Sequence, residues 1–201
     1  MTHTKSKILT LIVPALLLAP ASLSAQNAEA NAAARAQAST PQARINAAME
    51  AAARASIPAE LIESKIAEGR AKAVAEERIA AAVEARVAGL VRASEALQRA
   101  GIEGRSAGEL SVTADALEAG VSESAVVRIS RDAPQERRAV AVAVLADLVR
   151  LGHANDHALT RVSAAVRSSA ALANLHAEVA SQLRLGGMNP TLDVTAGARI
   201  R

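Results

Sequence analysis

Apolar residues recur three and four apart through most of the chain, the spacing that lines one face of a helix. Ile79, Val83, Val87, Leu90, Val91 and Leu97 form the longest stripe and predict a helix over 75–100, stopped by Gly101. Upstream, Thr40 followed by Pro41 reads as an N-cap with proline in the first turn. That pair opens a short helix carrying Ile45 and Met49 to about Ser56, and a second helix runs from Pro58 to a stop at Gly69. Downstream, a helix over 106–119 ends at Gly120, and a short one starts at Ser122 and carries Val126, Val127 and Ile129. Asp132-Ala133-Pro134-Gln135 opens a sixth helix that ends at Gly152, and a seventh runs from near Asn155 to Leu183. Residues 139–145, AVAVAVL, alternate as a strand would, but they lie inside a capped helical frame and are rich in alanine, a weak strand former. The pattern predicts an all-α fold: an irregular helical bundle or short α-solenoid of six to seven helices over 41–185.

A weak internal repeat runs through this pattern. Gly69, Gly120 and Gly152 each follow an aliphatic residue by three positions, and each precedes an Arg-Ile or Arg-Val pair: Arg78-Ile79, Arg128-Ile129 and Arg161-Val162. Stacked helical hairpins would produce it, and so would the ordinary preference for glycine after a helix.

The two ends differ from the body. Lys5 and Lys7 precede an apolar run from Ile8 to Ala19, followed by the small-residue stretch Ala21-Ser22-Leu23-Ser24-Ala25. This is the layout of a secretory signal peptide over 1–25, too short for a membrane span, which needs roughly 20 apolar residues. Residues 26–40 are low-complexity and lack a large apolar residue, so they read as a disordered linker. Residues 186–201 hold three glycines and a proline without helical period and read as a flexible tail. The expected location is beyond the inner membrane, periplasmic or extracellular, with no stable membrane span after signal cleavage.

Composition narrows the chemistry. There is no Cys, Trp, Tyr or Phe among 201 residues, and 52 are Ala. Without thiols there is no disulfide, thiolate zinc site or iron–sulfur cluster. Without Phe, Tyr or Trp there is no base-stacking platform and no aromatic cage. Removing Lys5 and Lys7 leaves 21 basic against 20 acidic residues, too even a balance to attract nucleic acid over a distance. The remaining cations are 19 Arg beside Lys65 and Lys72, a bias typical of GC-rich bacterial coding.

Few residues suggest a site. Ala81, Ala85, Gly89 and Ala93 place small residues at every fourth position of the long helix, so a second backbone can come close. They read as an interaction stripe, for self-association, a protein partner or a neighbouring helix of the same chain. His153 and His157 stand four apart, with His176 further on, and are weak candidates for zinc or copper. Gly104-Arg105-Ser106-Ala107-Gly108 matches the G-x-S-x-G elbow of hydrolases but lacks the strand that elbow needs, and Ser106 with Glu109 reads better as a capping box. Arg137-Arg138 reads as a solvated face, with an anion or partner contact as the functional alternative. The L-T-x-x-Q signature of periplasmic helical-hairpin chaperones breaks down in Leu159-Thr160-Arg161-Val162-Ser163 at the Gln, so the sequence assigns no family.

These features point to an exported non-enzymatic helical interaction protein, an adaptor, scaffold or chaperone-like module of a bacterial cell envelope, needing no cofactor. The alternative is a His-dependent metal-binding or sensor protein of the periplasm.

Overall fold

The structure, a computed structural model, describes residues 40–191. The signal peptide and nearly all of the low-complexity linker lie outside the described residues, as does the chain after Thr191.

Among the described residues there are eight helices and no strand: α1 (Pro41–Arg54), α2 (Glu60–Ala71), α3 (Glu76–Arg99), α4 (Ala107–Glu118), α5 (Glu123–Asp132), α6 (Gln135–Arg150), α7 (Asn155–Ala165) and α8 (Ser169–Leu185). The count exceeds the expected six to seven because the last predicted helix is two. The first part ends at Ala165 with Val166 as its C-cap, and Ser168 caps the next by accepting from the Ala171 amide at 3.4 Å. The alternating 139–145 segment is helical and belongs to α6, whose residues 141–148 are all buried. Burial all round dictates a composition that is apolar throughout 141–148 except at Asp147.

Local chemistry sets the helix starts. Thr40 accepts from the Ala43 amide at 3.3 Å, with Pro41 inside the first turn. Ser106 and Glu109 form a reciprocal capping box, each backbone N–H donating to the other's side chain at 3.1 Å. Ser122 caps α5.

Six of the eight helix ends follow one rule, all but those of α5 and α7, and it corrects the repeat. Ser56, Ala73, Gly101, Gly120, Gly152 and Gly187 take positive φ. After each, the next residue's N–H closes back on the carbonyl five positions earlier: Ile57 to Ala52, Val74 to Gly69, Ile102 to Leu97, Val121 to Ala116, His153 to Leu148 and Met188 to Leu183, at 2.8–3.0 Å. This is the Schellman closure, and most of these following residues are apolar, as the motif favours. Gly69 is therefore not a stop. It lies inside α2, and its hydrogen atoms let Ile79 of α3 approach: a Cβ there would stand 2.9 Å from Ile79 Cγ1.

Packing gives two apolar clusters. The first joins α1, α2, α3 and α4 through Ile45, Ile62, Val83, Leu90 and Leu97. The second surrounds α6 with α4, α5, α7 and α8 through Val126, Ile129, Leu145, Leu148, Val162 and Leu183. α4 serves both, since Leu110 and Ala114 face the first while Val112 and Ala116 face the second. With no Phe, Tyr or Trp available, alanine methyls such as Ala80, Ala93, Ala96, Ala143 and Ala146 are completely buried at these contacts.

Candidate functional site

The small-residue stripe divides along α3. Ala93 is fully buried, and Gly89 is half-buried beside α4, where an added Cβ would lie 3.9 Å from the Ala114 methyl. That half serves contact within the chain. Ala85 and Ala81, one and two turns before Gly89, are exposed. Ala82 and Ala85 line a cleft of about 480 Å³ between α2, α3 and α4, with Leu61 and Ser64 on one side and Arg86 and Asp115 on the other.

Charged pairs stiffen the rim of this cleft. Arg86 donates to Asp115 at 2.5 Å and to the Ser111 hydroxyl at 2.6 Å, tying α3 to α4. Glu68 accepts from Lys72 at 2.5 Å and from Lys65 at 3.2 Å. The Lys72 and Lys65 hydrogen bonds hold the Glu68 carboxyl below its ordinary range. Outside that lining, Arg44 on α1 grips Glu84 on α3 through both guanidinium branches, which lowers the Glu84 pKa and raises that of Arg44.

The histidines are placed unevenly. His153 sits in the turn before α7, half-buried, and His157 is exposed on the helix. Their rings meet edge to face, with centroids 5.4 Å apart and planes at 85°. His176 is buried on α8, its Nε2 without a hydrogen-bond partner among the described residues. Among the described residues no three His, Asp or Glu side chains gather as metal ligands.

The G-x-S-x-G stretch is the α4 capping box, with Ser106 and Glu109 bonded to each other. Arg137 and Arg138 differ from the solvated face expected of them. Arg137 donates to the Val166 carbonyl at 2.7 Å, where α7 ends. Arg138 donates to the Ser130 carbonyl at 3.1 Å and to Glu109 at 2.9 Å. Arg131 likewise donates to the Arg99 carbonyl at 3.1 Å. The planar guanidinium presents five donors in a rigid fork, so it can cap a helix end and bind a carboxylate with a fixed geometry that the flexible, three-donor lysine ammonium lacks, and this gives the Arg-for-Lys bias a structural use.

Sequence reasoning also missed Asp147. It is fully buried on α6 and accepts the Thr191 N–H at 2.9 Å and the Thr191 hydroxyl at 2.5 Å. Arg150 donates to the same threonine hydroxyl at 2.6 Å. Thr191 belongs to the stretch read as a tail, and 44 residues separate it from Asp147, so no local pattern announces the contact.

Comparison with family models, curated proteins and solved structures finds no match for the chain.

Proposed function

We propose that this chain is an exported, non-enzymatic helical interaction protein: an adaptor, scaffold or chaperone-like module of the cell envelope. The observation that carries the reading is the exposed half of the α3 stripe, Ala81 and Ala85, with Ala85 and the neighbouring exposed Ala82 on the wall of a cleft with a charged rim. Methyl groups let a partner helix lie close, and the fixed Arg86–Asp115 pair beside them offers polar contacts that orient it. The signal-peptide layout of residues 1–25 supports export. Among the described residues no helix is long and apolar enough to cross a membrane.

A photo-crosslinking residue at Ala85 tests the contact surface. Discrete adducts from Ala85 in the native envelope, with none from the exposed Ala170, support the reading; equal labelling from both refutes it. Fusing residues 1–25 to a reporter active only after export tests the location.

A second reading, a metal-binding or sensor protein, rests on the proximity of the His153 and His157 rings. Zinc or copper binding that disappears in His153→Ala/His157→Ala would favour it, and binding that persists would remove those residues.

A further inference from the structure

The face made by α5 and α7 carries a second cleft, of about 430 Å³, lined by Arg128, Asp156, Leu159, Thr160, Ser163 and Arg167. Its cations differ from their neighbours. Arg137, Arg138 and Arg161 are each taken up by a carbonyl or carboxylate. Arg128 and Arg167 make no side-chain hydrogen bond or ion pair among the described residues. The Ser163 hydroxyl in the same cleft is withdrawn from solvent and has no hydrogen-bond partner among the described residues. Two uncommitted guanidiniums and an unused hydroxyl thus share one concavity whose apolar wall is Leu159.

We infer that this cleft binds an oxyanion, a carboxylate or phosphate group held between Arg128 and Arg167. Guanidinium forks match the geometry of both anions. Ser163, whose hydroxyl lacks a partner, adds a third donor to the same lining. Asp156 lines the cleft too, but it lies seven residues before Ser163 on α7, roughly 10 Å along the axis, and so confines the anion to the opposite end. The negative carbonyl end of α7 would oppose an anion there, and Arg137 covers it through the Val166 carbonyl.

Titrating inorganic phosphate, and separately acetate, into the isotopically labelled full chain at constant ionic strength tests the site. The expected result is saturable shifts of the amides at 128, 160, 163 and 167. Binding should weaken by about tenfold or more in Arg128→Gln/Arg167→Gln, and should persist in Arg78→Gln/Arg92→Gln, whose arginines lie outside the cleft. The tighter anion identifies the group recognised. Shifts that do not saturate with either anion would overturn the assignment. So would equal weakening in both double variants, or binding unchanged in Arg128→Gln/Arg167→Gln.

Discussion

Arg138 donates to Glu109 at 2.9 Å, and the same Glu109 carboxylate accepts the Ser106 amide that closes the α4 capping box. One buried carboxylate therefore joins the start of α4 to α6, while Arg138 adds the Ser130 carbonyl near the end of α5. The two side chains are only 13% and 11% exposed, so removing one leaves the other charged and little hydrated. Arg138→Met should cost about 3 kcal/mol, measured by urea unfolding. Arg138→Met/Glu109→Gln should cost less than the sum of the single changes. Strict additivity would mean the pair does not act as a unit.

Two helical glycines predict opposite responses to alanine. At Gly89 the new methyl meets Ala114 at an ordinary 3.9 Å, so Gly89→Ala should gain up to about 1 kcal/mol from helix propensity. At Gly69 the methyl would press on buried Ile79 at 2.9 Å, so Gly69→Ala should lose about 1–2 kcal/mol despite the same propensity gain. Thermal denaturation of the two variants checks the contrast. Equal stabilisation of both would remove Gly69 from the α2–α3 contact.

The Thr191 clasp predicts a stability effect far from any helix. Thr191→Val deletes a 2.5 Å hydrogen bond to a buried carboxylate and should cost about 1.5–3 kcal/mol. Hydrogen exchange at the Thr191 amide, which also donates to Asp147, should speed up in the same variant. Unchanged stability and exchange would show that the clasp contributes nothing.

Acid should weaken the α1–α3 half. Glu68 and Glu84 are both held below the ordinary Glu value of 4.5, Glu68 chiefly by its Lys72 hydrogen bond and Glu84 chiefly by its Arg44 hydrogen bond. A lowered folded pKa adds stability that is complete above the unfolded value and is lost as pH falls through the folded one. Tm should therefore stay level from neutral pH to about 5 and drop below the ordinary Glu range. Glu68→Gln/Glu84→Gln should flatten that drop, and an acid slope equal to the parent's would contradict the assignment.

Most of the helical frame is legible in the chain because its signals are local. Thr40-Pro41, the Ser106/Glu109 box, Gly120, Gly152 and the α3 stripe act within a few residues of where they stand. The break between α7 and α8 is harder to read, since Val166 and Leu172 continue the apolar run at a spacing of six and only Ser168 marks the cap. Ser56 and Ala73 end α1 and α2 in a conformation that usually calls for glycine, so composition hides those turns. Gly69 misleads the other way, because its reason lies on Ile79 of the next helix. In the candidate sites, spacing places the α3 stripe but not its division into buried and open halves, which depends on where α4 packs. The roles of Arg137 and Arg138 are equally hidden, since Val166 and Glu109 lie 29 residues away in opposite directions.

The proposed function stands or falls with the open half of the α3 stripe as a contact surface. Its most direct measurement is adduct yield from a photo-crosslinker at Ala81, in the native envelope, with and without Ala85→Leu. A fall in yield of about tenfold or more at unchanged Tm is expected, because the added side chain fills the approach that a partner helix needs. Equal yields from the two proteins would contradict it.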